Sequence, residues 1–188
     1  MNYIVSGLER SGTSLMMQIL EYTNFPIYYD NSRKPDENNP KGYYELFGGK
    51  ILNEINTLNF DKYDNKCIKI TSFGISQLPE DGRKYKIIYM QRPIDEVMKS
   101  SKTFNDDCYN IMDKSMKETL IKLNSHTEKY MRDREDIDFI NIYHRNLMNN
   151  PEEELDRLGK FLDWNVSEGV NAVDKSLWRK RNEEYKNI

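Results

Sequence analysis

The chain is poor in the residues that carry metal and redox chemistry: two cysteines and two histidines in 188 residues. Cys67 and Cys108 make neither a disulfide framework nor a metal-ligand pattern, and Cys67, inside an apolar run, reads as a small core residue. His126 and His144 stand apart from each other, so no convincing metal cluster exists and no metal is expected. No apolar run approaches membrane-spanning length, and the first residues already read as a strand rather than a secretory signal; the expected compartment is a reducing cytoplasm. Excess positive charge is also missing. The net charge is −3, so neither nucleic acid nor a membrane is an expected partner and any anion site must be local. Neither a repeat nor a long linker divides residues 1–188, which are read as one domain of 37% hydrophobic and 31% charged residues.

One further absence lies near the N-terminus. Tyr3 to Glu21 read YIVSGLERSGTSLMMQILE: a short apolar strand, a loop bounded by Gly7 and Gly12, then a helix with an apolar stripe at Leu15, Met16, Ile19 and Leu20. A strand, a glycine-bounded loop and a helix start point free N–H groups and the positive end of the helix dipole at one spot, which suits an anion. The G-x-x-x-x-G spacing is that of a Walker A loop, but Gly12-Thr13-Ser14 replaces Gly-Lys-Ser/Thr and the cation sits inside the loop as Arg10. Losing that lysine argues against an ordinary nucleoside triphosphatase.

Five short apolar runs are strand candidates: Tyr3–Ser6, Pro26–Tyr29, Cys67–Thr71, Lys86–Met90 and Asp138–Tyr143. Helical stretches are expected at Ser14–Tyr22, Glu45–Leu58, Pro93–Lys102, about Asn110–Arg132, Glu152–Leu162 and Lys175–Tyr185. This alternation predicts an α/β fold, a P-loop-like three-layer sandwich around a mainly parallel sheet of about five strands. Ligands bind such sheets outside the carboxyl ends of the strands. The polar segment from Asp30 to Tyr44 is too long for a simple connector and is a candidate substrate loop.

A second anion site is suggested by KIIYMQRPIDEVMKS, residues 86 to 100. Arg92 ends a buried strand, Pro93 suits the first position of a helix, and Ser100 lies two turns along it. Arg92 can hold a phosphate bidentately with Ser100 adding a hydrogen bond, or it can simply pair with a carboxylate such as Asp95.

Together the two segments resemble the sulfotransferase superfamily, in its arginine-type form. Arg10-Ser11-Gly12-Thr13-Ser14 matches the loop that holds a 5′-phosphosulfate there, and Arg92 with Ser100 matches the pair that holds a 3′-phosphate. Asn141 to Leu147, Asn150-Pro151-Glu152-Glu153-Glu154-Leu155 and Phe161-Leu162 look like a third, structural segment of the family. The resemblance implies 3′-phosphoadenosine 5′-phosphosulfate as donor, adenosine 3′,5′-bisphosphate as product, and sulfuryl transfer to a hydroxyl or amine without a metal. It implies donor binding by Gly7, Arg10, Ser11, Gly12, Thr13, Ser14, Arg92 and Ser100, with Arg10 also stabilising charge on the leaving phosphate. Glu9 departs from the pattern, since arginine-type members carry proline there.

The catalytic base is open. Arginine-type members use a carboxylate shortly after the second strand, which here offers Asp30 or Glu45; either residue can equally be a cap or a solvated loop residue. Arg33, Lys34 and the tyrosines Tyr28, Tyr29, Tyr43 and Tyr44 can contact donor or acceptor, or be surface and core. Arg179, Lys180 and Arg181 form a basic cluster that can close over the nucleotide or end a solvated helix. Two other functions fit the loop: a P-loop nucleotide kinase or phosphotransferase, disfavoured by the missing lysine and by the lack of an acidic residue after the strand Lys86–Met90, and a non-catalytic nucleotide-binding protein.

Overall fold

A computed structural model describes residues 1–37, 39–101 and 111–178. Cys108, the basic cluster Arg179-Lys180-Arg181 and most of the expected tail helix lie outside the described residues.

Four parallel strands form the sheet in the order β2-β1-β3-β4: β1 Asn2–Gly7, β2 Cys67–Lys69, β3 Tyr85–Gln91 and β4 Ile137–Tyr143. Their alternation divides the core. Ile4, Ile87 and Tyr89 face one side, where they pack with Ile51, Ile75 and Met131 from α2 (Ile51–Glu54), α3 (Ser72–Ile75) and α5 (Ile111–Asp133). Val5, Ile88 and Met90 face the other, against α1 (Thr13–Tyr22), α6 (His144–Asn149) and α7 (Pro151–Leu162). A parallel sheet needs such cover on both faces, and the result is the three-layer α/β sandwich. Among the described residues no helix is long and apolar enough to cross a membrane.

Two expectations are corrected. Residues 26–29 are not a fifth strand: Ile27 makes one isolated parallel bridge to Cys67, held by Cys67 N to Pro26 O (2.7 Å) and Tyr28 N to Cys67 O (2.9 Å). Beyond the bridge, Tyr29 packs against Tyr44 and both donate to Glu21, while Tyr28 packs on Tyr63, and the ladder does not continue. The helix expected over residues 45–58 is broken into single turns, Phe47–Gly49, α2 and Ile55–Thr57. Phe47, Gly48 and Gly49 all have positive φ (54°, 62° and 88°), which no right-handed helix accommodates.

Where the ligand should lie follows from topology. The connection that leaves the carboxyl end of β1 leads to β2 on one side, and the one that leaves β3 leads to β4 on the other, so a crevice opens between the carboxyl ends of β1 and β3. The loops bearing Arg10 and Arg92 leave those two strand ends.

Candidate anion-binding site

A cavity of about 380 Å³ opens at this crevice, lined by Arg10, Gly12, Thr13 and Ser14 on the first loop, and by Arg92 and Ser100 on the second. α1 begins at Thr13 with no side-chain cap, so its first-turn N–H groups are offered to the cavity rather than to a neighbouring serine or aspartate. Gly12 is the N-cap at φ 105°, and a β-carbon there would meet His144 Cδ2 at 2.7 Å. Arg10 adopts the left-handed region with φ 68°, an arrangement that costs a non-glycine residue roughly 1 kcal/mol or more.

The two half-sites touch. Arg92 Nη1 donates to the Arg10 carbonyl at 3.0 Å, and Arg10 Nε donates to Ser100 Oγ at 3.1 Å. Residues 82 and 90 positions apart are thereby wired across the crevice. Arg92 pairs with Glu96 (3.1 Å), while Asp95 takes Lys117 (2.7 Å). Burial pushes the Arg92 guanidinium below its ordinary pKa, with Glu96 acting the other way, yet it stays a cation.

Two residues of the expected donor set do not face the cavity. Gly7 lies against Met90 at the strand end. Ser11 is 1% exposed; its N–H closes the loop onto Leu8 O (3.1 Å) and its hydroxyl has no hydrogen-bond partner among the described residues. Both shape the loop rather than offer it donors. Glu9 is exposed at the rim.

A cation that the sequence reading missed also lines the cavity. Lys69 ends β2, is 5% exposed, and its ammonium meets Ser14 Oγ (3.2 Å), Tyr43 O (2.6 Å) and Glu45 Oε1 (2.9 Å). Burial lowers its pKa and Glu45 opposes that shift. The signal was present: a lysine inside Cys67-Ile68-Lys69-Ile70, a strand buried on both faces, must find a partner or a cavity. Glu45 is completed by Arg33, whose Nη1 lies 2.9 Å from Oε2 and whose guanidinium stacks 3.6 Å from the centre of the Tyr43 ring. Arg33, Tyr43, Glu45 and Lys69 thus form one wall of the cavity.

Asp30 is placed elsewhere. It is exposed, accepts from Ser32 N (2.9 Å) and Phe47 N, and holds the turn before the broken helix. Partial burial works against its charged form, but the hydrogen bonds from Ser32 and Phe47 prevail and keep it below the ordinary carboxylate pKa. Its carboxylate is a cap, which removes it as the cavity's base. Tyr29 and Tyr44 donate to Glu21, and Tyr28 packs on Tyr63, leaving Tyr43 as the tyrosine of that group in the cavity. Lys34 and His126 are exposed.

His144 is 4% exposed at the start of α6 and lines the cavity beside Gly12. Burial first, then Arg92 and Arg145, push its pKa down to about 3, so the imidazole is neutral at physiological pH. Chemically, the arrangement suits an anion at the uncapped helix start near Arg10 and Lys69, has room for a second near Arg92 and Ser100, and places the Glu45 carboxylate on the same cavity.

No protein-family model matches the chain, and no curated protein matches it. Among solved structures, an unliganded sugar kinase from Janibacter sp. HTCC2649 is similar over 94% of this chain and 96% of its own, at 9% identity and a TM-score of 0.43. A likeness that distant leaves the reading of the site to its own geometry.

Proposed function

We propose that the protein is a sulfotransferase that binds 3′-phosphoadenosine 5′-phosphosulfate and passes the sulfuryl group to a hydroxyl or amine. The observation that carries this reading is the meeting of Arg10 and Arg92, through Arg92 Nη1 to Arg10 O at 3.0 Å, on one cavity. A nucleotide phosphorylated at both ends of its ribose needs two anion sites at a fixed separation, and a nucleoside triphosphate does not. The residues present fit such a donor: two guanidinium groups, an uncapped helix start, and a glycine N-cap with no side chain in the way. When bound, the donor supplies an activated sulfuryl group and a phosphate leaving group.

The chain's own residues do the rest. Arg10 and the N–H groups of Thr13 and Ser14 neutralise charge that develops on the phosphate side. Lys69 brings a second cation to Ser14 from the end of β2. Glu45, held between Lys69 and Arg33, accepts the proton of the acceptor hydroxyl; of the two carboxylates expected from sequence it is the one in the cavity.

Lys69 also favours a second reading, a phosphotransferase, because it returns to Ser14 the ammonium that the loop itself lacks. Calorimetry separates the two. Binding of adenosine 3′,5′-bisphosphate without magnesium, with ATP and magnesium bound weakly, is the expected result; tight ATP binding with no bisphosphate binding would transfer the assignment to phosphoryl chemistry. Transfer of labelled sulfate from the donor to an acceptor panel then tests the reaction itself.

A further inference from the structure

Glu96 is a carboxylate with 0% exposure, in the first turn of α4 (Ile94–Ser101), and it does not line the cavity. Three donors from separate segments converge on it. Arg92 Nε and Trp178 Nε1 each reach Oε2 at 3.1 Å, and Arg145 Nε reaches Oε1 at 2.8 Å. Burial works against its charge, but the hydrogen bonds from Arg145, Trp178 and Arg92 outweigh it and hold the carboxyl below its ordinary pKa.

The contacts continue beyond this hub. With its Nε on Glu96, Arg92 directs Nη1 to the carbonyl of Arg10, the residue in the left-handed region that sets the loop's path. Arg10 in turn donates to Ser100, one turn along α4 from Glu96. The ring runs Glu96, Arg92, Arg10, Ser100 and back through α4, and it contains the cations of both anion half-sites. We infer that Glu96 is a positioning residue: by holding Arg92 it sets the Arg10 loop as well, so that one buried carboxylate organises both ends of the nucleotide site. Resting on the reading of a doubly phosphorylated donor, the inference adds how the two ends are coupled.

Substituting glutamine shows why the charge matters. An amide keeps the shape but offers one acceptor oxygen and one NH2 group, a double donor, where the carboxylate accepts from three donors, so an N–H must face an N–H of Arg92, Arg145 or Trp178. In either orientation Arg92 loses the negative charge it pairs with while remaining a buried cation.

The test is a binding cycle by titration calorimetry on the full chain, using adenosine 3′,5′-bisphosphate and 5′-AMP, which lacks the 3′-phosphate. Glu96→Gln is expected to weaken the bisphosphate by about tenfold or more and to weaken 5′-AMP several-fold, although 5′-AMP has no group for Arg92 to bind. In an Arg92→Ala background the same substitution should add nothing further for 5′-AMP, because Glu96 acts through Arg92. Unchanged 5′-AMP binding in Glu96→Gln, or additive losses in the double variant, would overturn the coupling. Should Glu96→Gln not fold, Glu96→Asp keeps the charge on a shorter arm and serves the same cycle with the same two outcomes. If the wild type binds ATP and not the bisphosphate, the donor reading fails separately; the cycle is then run with ATP, whose weakening by Glu96→Gln supports the positioning role and whose indifference ends it.

Discussion

Arg10 does two things that a lysine after the loop glycine does not. Its left-handed backbone aims the Arg10 carbonyl at Arg92, and its guanidinium reaches α4 through Ser100. Removing the guanidinium therefore strips both charge and a strut: Arg10→Ala should lower turnover by at least ~3 kcal/mol in barrier, about a hundredfold, and weaken the bisphosphate about tenfold. Sulfate-transfer kinetics and calorimetry read the two effects. The two carboxylates nominated for the base also separate cleanly. Glu45→Gln should cost about 10²-fold or more in turnover, while Asp30→Asn should leave turnover near wild type and cost about 1 kcal/mol of stability through the Ser32 and Phe47 contacts. Equal losses of turnover in both variants would return the assignment of the base to the open.

At the scale of elements, α1 and α7 differ in how their first turns are completed. α7 starts with Pro151, carries Glu152, Glu153 and Glu154 in its first turn, and closes on Asp163 in the left-handed region. α1 has neither a side-chain cap nor an acid in its first turn, so its dipole and free N–H groups remain for a ligand. On the other face of the sheet, α3 packs against α2 through Gly74. A β-carbon there would lie 2.5 Å from Ile70 Cγ2 and 2.9 Å from Leu52 Cδ2. Gly74→Ala should therefore overpack this junction and cost about 1–3 kcal/mol, seen as a lower urea midpoint with unchanged slope. Because the two core clusters lie on opposite sides of the sheet, bisphosphate affinity should hardly change.

Across the whole molecule, stability should fall in acid for two separate reasons. His144 is neutral when folded, with a pKa near 3, whereas an unfolded histidine protonates at about 6.5. The unfolded chain then binds the extra proton, so stability is complete above that value and drains as pH falls toward 3. Between pH 7.5 and 5 this amounts to about 2 kcal/mol, and His144→Gln should flatten that part of the profile in denaturant titrations. Glu96 adds a second loss at lower pH: its folded pKa is depressed, so its contribution is present above roughly pH 4.3 and disappears as the folded carboxyl protonates. Ligand acts in the opposite direction. Bisphosphate at a hundred times its dissociation constant should raise stability by about 2.7 kcal/mol, and Arg92→Ala should abolish most of that gain.

Much of this was legible in the chain itself, where the information is local. A glycine-bounded loop between an apolar strand and an apolar-striped helix determines a strand end, a tight loop and a helix start within a dozen residues, and Arg92, Pro93 and Ser100 mark a strand end and helix start in the same way. The alternation of apolar runs with helical stretches likewise determined the α/β class. Residues 26–29 and 45–58 were misread because tyrosine pairing with Glu21 and consecutive positive φ angles at Phe47, Gly48 and Gly49 override local apolar patterning. Only the tertiary structure could decide which charges meet. Lys69 reaches Ser14 across 55 positions and Trp178 reaches Glu96 across 82, pairings set by strand order and by burial, where an unpartnered charge is costly. The same rule separates Glu45 from Asp30. Both are acidic and both follow the second apolar run, but one faces the cavity's cations and the other caps a turn in solvent.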